Sequence, residues 1–324
     1  MKKSLACTVL AGLLMGCVMT GTEASGDPDG IVLNSERNMV EIPYVMPEME
    51  EKRLEEIHRY AVHNDLSELG AWVRGETGKM SADGVDFDVK VVSGGYDWSN
   101  KTSKGNFFMG VGVSHGTSNA DMGFVGDSKN TSFSIYGSWY GRKNYDYIDF
   151  VVKYGKINHE YDGTNFMGIP CSGEYDKKMY SFFTKYGRRI PLKNGFYFEP
   201  FGSLTYGHIN SADFYDDAQR AHMSVDAINS KIVSAGTVFG KKLKGTEVYT
   251  KLAYSYDFDG KVKRSVPLYN HSEETDLGGS SYKFAIGASR NLGKQNSLHF
   301  DVEKDFGGKM KRPWNVALTF KHTW

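Results

Sequence analysis

Cysteine, proline and net charge are all scarce in this 324-residue chain, and each scarcity removes a class of protein. Of its 3 cysteines, Cys7 lies in the N-terminal apolar stretch, Cys17 sits at the edge of that stretch and Cys171 stands alone, so no intramolecular disulfide is expected in the mature protein. The 39 basic and 39 acidic residues cancel, and no basic cluster of the size a nucleic-acid surface needs is present. Nucleic acid is therefore not expected as a partner. Beyond residue 19 there is no run of about 18 apolar residues, so no membrane-spanning helix is expected either. Only 8 prolines against 37 glycines, with a mean hydropathy of −0.46, suit strands that alternate apolar and polar residues.

What is present begins with an export signal. Lys2 and Lys3 precede an apolar stretch over residues 5–19, and residues 1–24 are assigned to a segment removed on export. Two processing sites compete and both stay open: Thr22-Glu23-Ala24 offers small residues to the general signal peptidase, while Leu14-Met15-Gly16-Cys17 resembles a lipobox in which Cys17 would be acylated. The chain also carries 20 Tyr, 19 Phe and 5 Trp, an aromatic content that no helical span accounts for.

Residues 25–46 read as a short polar segment. Residues 47–66 then read as a helix and linker, with Pro47 in the first turn, acidic residues crowding the start, and Leu54, Ile57 and Ala61 forming a narrow apolar stripe. From about residue 67 to Trp324 the period is two. Phe133, Ile135, Gly137 and Trp139 share one face. Phe150 and Val152 oppose Asp149, Val151 and Lys153, and Phe300 and Val302 oppose Asp301 and Glu303. Charges on the inward face imply a wet interior, with Phe133, Ile135, Phe150, Val152 and Phe300 toward lipid and Val151 toward water.

Twelve such segments begin near Leu69, Val85, Asn106, Thr131, Tyr145, Lys177, Gly195, Met223, Thr246, Ser281, Ser297 and Pro313. Tight turns at 143–144, 192–194, 243–245 and 294–296 alternate with long connections at 117–130, 162–174, 211–222 and 258–280. That alternation is how a transmembrane barrel is wired, and a soluble sandwich predicts none of it. The last strand places Val316, Leu318, Phe320, His322 and Trp324 on one face, the kind of C-terminal strand that addresses a barrel to the assembly machinery.

The segments Leu69-Gly70-Ala71-Trp72-Val73-Arg74-Gly75, Gly94-Gly95-Tyr96-Asp97, the run 133–139 and the run 198–207 resemble the β-domain of autotransporters, the type V secretion proteins. The closing stretch 302–308, Lys311-Arg312-Pro313-Trp314-Asn315-Val316 and the final strand carry the resemblance furthest. It implies an all-β, twelve-stranded antiparallel transmembrane barrel in the outer membrane of a Gram-negative bacterium, with the helix that begins at Pro47 threading the lumen. It also implies protein translocation, contact with outer-membrane lipid, the barrel-assembly machinery and periplasmic chaperones, and a monomer without cofactor. Because only residues 25–46 separate signal from helix, little or no passenger of its own is expected, and a separately encoded passenger is one alternative. The adjacent asparagine pair at which some members cleave the helix is missing, with Asn64-Asp65 in its place.

Catalytic chemistry finds little support. Gly126-Asp127-Ser128-Lys129 has the outline of a serine-hydrolase block but is expected in a loop with no Asp-x-x-His partner at the end of the chain. His58, His115, His159, His208, His222 and His271 show no metal-ligand spacing. No enzyme is expected. The alternatives are a surface protein that binds through its outer loops, or an omptin-like outer-membrane protease assembled from the acids at 213–217 and 273–276 with His222 and His271.

Overall fold

A computed structural model of the chain describes residues 42–61, 70–82, 85–121, 124–164, 170–217, 221–266, 271–293 and 295–323. The export signal, Cys17, the rest of the polar N-terminal segment, Asn64, Asp65 and Trp324 lie outside the described residues.

Among the described residues one α-helix, α1 (Ile42–Ala61), precedes seventeen strands. They are β1 (Ala71–Ala82), β2 (Val85–Lys101), β3 (Gly105–Asp121), β4 (Phe124–Gly141), β5 (Asp146–Thr164), β6 (Pro170–Arg188), β7 (Ile190–Pro191), β8 (Phe196–Ile209) and β9 (Ala212–Asp216). After them come β10 (Ala221–Val225), β11 (Ile228–Leu243), β12 (Thr246–Asp257), β13 (Lys261–Val266), β14 (His271–Asp276), β15 (Gly279–Asn291), β16 (Asn296–Phe306) and β17 (Met310–His322).

Twelve of these are staves of one closed antiparallel barrel. The order runs β1-β2-β3-β4-β5-β6-β8-β11-β12-β15-β16-β17 and returns to β1, where Ala71 faces His322 and Trp72 faces Lys321. Closure pairs every edge, which a sheet surrounded by hydrocarbon requires. The two faces separate as the period-two pattern predicts. Phe133, Ile135, Val152 and Phe300 point outward and exposed, Phe150 lies half-buried on that face with its ring stacked on Phe107, and Asp149, Lys153, Asp301 and Glu303 are buried inward. Leu318 and Phe320 face outward on β17 with Val316 half-buried beside them.

Four expectations need correction. The helix starts at Ile42, so Pro43 rather than Pro47 is the first-turn proline, and no acidic residue lies in the first turn. Pro43 sits among the orphan donors of the helix start, where its missing N–H costs little, whereas Pro47 lies in the second turn and leaves the carbonyl four residues before it without its helical partner. Second, the eighth stave begins at Ile228, because Met223 belongs to β10, outside the wall. Third, residues 117–121, 124–130, 162–164 and 170–174 are continuations of β3, β4, β5 and β6, whose 17 to 19 residues exceed the roughly 9 to 11 a tilted membrane strand needs. Period-two alternation weakens once both faces leave the membrane, so these hairpins read as loops. The expected loops at 211–222 and 258–280 likewise hold strand, β9 and the start of β10 in the first and β13 and β14 in the second, and these four strands make a second sheet in the order β14-β13-β10-β9. It folds over the same end of the barrel, where Phe214 stacks on Tyr175 at 4.1 Å and Asp217 N–H donates to the Ser172 carbonyl at 3.0 Å. Fourth, Val151 does not face water: it is 1% exposed and shares a buried cluster with Leu54 and Ile57 of α1.

These placements set an order of costs. Phe150→Arg should destabilise the barrel in lipid vesicles by about 2–4 kcal/mol, and Ser255→Arg, which faces a lumenal cavity, by under about 1 kcal/mol. Val151→Arg should rank with Phe150→Arg, because it drives a guanidinium among Leu54 and Ile57. Urea titration of the three variants reads the order directly, and a Ser255 cost equal to that at Phe150 would sink the assignment of faces.

Candidate functional site

The lumen is filled by α1, which packs closest to β3, β4, β5 and β6. A helix buried on all sides is ordinarily apolar on all sides. Here Glu50, Lys52, Arg53, Glu55, Glu56, His58 and Arg59 are all buried, and only Met49, Leu54 and Ile57 are apolar among the residues equally enclosed. Burial of so many charges is tolerable only if each finds a partner.

The partners come from the wall. Glu50 meets Lys153 on β5 at 2.8 Å. Glu51 lies between Lys185 on β6 and Lys251 on β12, at 3.2 and 3.0 Å, and Glu55 bridges the same two lysines. Lys52 reaches Glu303 on β16 at 2.9 Å and Glu76 on β1 at 3.5 Å. Arg53 donates through Nε to Asp97 on β2 at 3.0 Å and pairs with Glu56 one turn on at 2.8 Å. Glu56 in turn accepts from Arg74 on β1 at 3.3 Å and from the Thr319 hydroxyl on β17 at 2.9 Å. Arg74 closes the circuit with Asp301 on β16 at 2.8 Å. Arg59 stacks over Tyr249 at 4.0 Å, and His58 meets Asp149 at 2.8 Å and Ser138 at 3.0 Å through Nε2. Charged contacts thus tie one helix to β1, β2, β5, β6, β12 and β16.

A second device recurs round the inner wall. A tyrosine lies across a glycine directly opposite it on the next strand, and its hydroxyl reaches an acceptor one strand further. Tyr147 covers Gly187 and donates to Glu199 at 2.8 Å; Tyr197 covers Gly240 and donates to Glu247 at 2.7 Å. Tyr136 covers Gly110 and donates to Asp97, while Trp72 Nε1 donates to the Tyr136 hydroxyl at 2.7 Å. Tyr249 covers Gly287 and meets His299 Nε2 at 3.3 Å. A Cβ added at Gly287 would stand 2.3 Å from the Tyr249 ring, so a side chain there must displace it.

The sequence-derived site residues fall differently. Ser128 lies within β4 rather than in a loop, and its Oγ meets His159 Nδ1 on β5 at 2.7 Å, both buried, with no hydrogen-bond partner for His159 Nε2. His222 rests on Tyr215 with ring centroids 5.0 Å apart. The acids of β9 and β14 occupy the two outermost strands of the cover, roughly 14 Å apart at the usual strand spacing, so they form no joint site. His58 has no metal spacing in the sequence, and nothing there singles out Arg53, Arg74 or Lys251, because the partners of these charges lie far away in the chain and no local spacing records them. Among the described residues no group of three or more His, Cys, Asp or Glu could hold a metal ion.

Comparison with known proteins follows the same lines. The family model of the autotransporter beta-domain matches residues 69–303. The chain is 26% identical over 277 residues to the uncharacterized protein YaiT of Salmonella typhimurium, an alignment covering 82% of this chain and 28% of that one. It therefore spans little more than a quarter of that relative's length. The translocator domain of NalP from Neisseria meningitidis superposes with a TM-score of 0.68 at 11% identity, covering 88% of this chain and 98% of that one. The beta domain of the Bordetella autotransporter BrkA gives 0.65 at 19% identity, covering 79% and 100%. At these identities the two structures speak for the fold.

Two outcomes test the lumenal contacts. Arg74→Met should cost about 3–5 kcal/mol, because it leaves Asp301, Glu56 and Glu76 buried beside one another, whereas Lys156→Met, which breaks the exposed pair with Asp176, should cost under about 1 kcal/mol. Equal costs in a vesicle unfolding titration would mean that the lumen is wet enough to screen these charges. Gly287→Val should cost about 1–3 kcal/mol by overpacking against Tyr249, while Gly75→Val, with nothing within 4 Å, should be near neutral. A neutral Gly287→Val would show that the ring moves aside freely.

Proposed function

The chain belongs to the autotransporter β-domain family, and from that premise we propose that its barrel carries polypeptide across the membrane in which it sits, the bacterial outer membrane. The observation that carries this reading is α1 held lengthwise in the lumen by its own side chains. In outer-membrane barrels the short turns face the periplasm and the long hairpins face outside. Here the turns at 102–104, 142–145 and 244–245 mark the short-turn end. His58 packs near that end, against Tyr140 and Tyr147, while Met49 packs under the cover sheet at the other. The helix therefore leads from the periplasmic side outward, and a chain attached ahead of Ile42 is directed to the cell exterior.

The cargo of the barrel is a passenger either joined to this chain or supplied apart from it, and the barrel itself is built by assembly partners. The outward face of β17, Val316, Leu318 and Phe320, is read by the barrel-assembly machinery, to which periplasmic chaperones deliver the unfolded chain. Replacing Leu318 and Phe320 by Ser leaves the inward Thr319 and Lys321 in place. It should lower the amount of heat-modifiable barrel in cells while refolding into detergent persists. Equal loss in both settings would make the effect one of stability alone. No catalytic role is proposed, since Ser128 and His159 are buried together without a carboxylate partner to the ring and the acids of the cover are held apart.

An unfolded, epitope-tagged reporter placed immediately ahead of Ile42 tests the function. Antibody should reach it on intact cells, as it should reach a tag inserted at Asp217, and it should not reach a tag at Asn194. A reporter retained in the periplasm by an assembled barrel would refute translocation, and a reversed pattern at Asp217 and Asn194 would refute the orientation.

A further inference from the structure

Beneath the cover sheet the lining of the lumen changes in kind. Six methionines have described side chains, and five of them gather in one cluster at this mouth: Met49, Met80, Met179 and Met223, all buried, and Met310, half-buried against them. They come from α1, β1, β6, β10 and β17, elements spread around the opening. They sit there among aromatic and branched side chains such as Phe87, Val89, Ile157 and Phe214, whereas the two other buried clusters, nearer the periplasm, contain no methionine. Met80 and Met310 also border a cavity of about 160 Å³ that reaches down to Glu51 and Lys251 along the wall of β8, β11 and β12. On that wall Ser234 and Ser255 remain partly exposed within the lumen and bond only to one another, at 2.8 Å. The helix thus lies against β3 to β6, and on the opposite side the cavity separates it from β11 and β12 only above the contacts of Glu51 and Glu55 with Lys251.

For a static core methionine is the weaker choice, because three rotatable bonds specify one packing poorly and branched side chains specify it well. The same freedom suits a surface whose contents change. A polypeptide in transit presents a new side chain about every 3.3 Å, and a seal around it must repack each time without crossing a high barrier. Ion pairs and stapled tyrosines cannot do so; flexible, polarizable thioethers can.

We propose that this methionine collar, with the cavity below it, is the contact surface for the polypeptide in transit at the outer mouth: an extended chain of mixed sequence leaves past the cavity, above the contacts of Glu51 and Glu55 with Lys251, and is sealed by the methionines as it moves. This rests on the translocator reading and adds the route and the lining.

The test uses the full chain with two unfolded, tagged reporters of equal length placed ahead of Ile42. One is built from Gly and Ser; the other contains Trp, Phe and Ile at intervals. Met80, Met179, Met223 and Met310 are replaced together by Leu, a swap that conserves volume and removes flexibility. The rate at which the tag becomes accessible to external protease should be unchanged for the Gly/Ser reporter and about fivefold slower for the mixed one, where repacking is required. A mixed reporter slowed no more than the Gly/Ser reporter overturns the collar while leaving translocation standing. If the unaltered chain exports neither reporter, the translocator reading itself falls and the collar with it. Should the fourfold variant fail to give a heat-modifiable barrel, Met80→Leu with Met310→Leu, the two residues on the cavity, decides by the same comparison.

Discussion

No water reaches the middle of a bilayer to satisfy a backbone N–H or carbonyl, so a sheet that spans it has to close on itself. In this protein that requirement is met where β1 lies along β17. Twelve staves closed in this way leave a bore wider than their own side chains can fill. Almost everything else in the structure answers the question of what occupies it. The outer face is left with one task, to be apolar, and it is composed accordingly of exposed Val, Ile, Leu and aromatic side chains.

The occupant is a helix whose charges face the wall in nearly every direction. Buried ion pairs are a poor source of net stability, since desolvation consumes most of what the attraction returns. They are a strong source of register. Glu50 with Lys153, Glu51 and Glu55 with Lys185 and Lys251, Arg53 with Asp97 and Lys52 with Glu303 can all be satisfied together in only one rotation and one depth of α1. A greasy helix in a greasy bore would gain about as much in several positions. The charged contacts therefore define where the helix stops. The tyrosine–glycine pairs do the corresponding work for the wall, each linking three successive strands through one ring and one hydroxyl.

Much of this was legible in the residues. Alternation of Phe133, Ile135, Gly137 and Trp139 with serines needs only the strand period to be read, and it correctly separated lipid face from lumen. The strand count survived too, because turns such as 143–144 and 192–194 are punctuated by Lys and Asn between apolar runs. Reading failed where the environment on both faces of a strand becomes the same. Residues 117–121 and 124–130 stand beyond the lipid, and their polar side chains look like loop although they are paired throughout. It failed again for Val151, whose inward position was right but whose surroundings depend on Leu54 and Ile57, almost a hundred residues earlier in the chain. Most of all it failed for α1, where the partners of each charge lie on six separate strands and no local pattern records them.

Along the axis of the barrel the filling then falls into three materials. Near the short turns, His58, Tyr140 and Tyr147 stack with Leu54 and Ile57 in a stiff aromatic and branched cluster. At mid-height the ion pairs dominate, directional and intolerant of displacement. Under the cover sheet, methionines from five elements meet the end of the helix. The outer cluster therefore sets flexible side chains among stiff ones. A seal at the inner end has to hold one helix in one place, and geometry that admits a single arrangement serves it best. The outer end borders a cavity on one side of the helix and a sheet that spans the opening on the other, so its lining has to fit more than one neighbour. Aromatic and branched side chains serve both ends, and among the three buried clusters methionine, with its greater torsional freedom, joins them at the outer end.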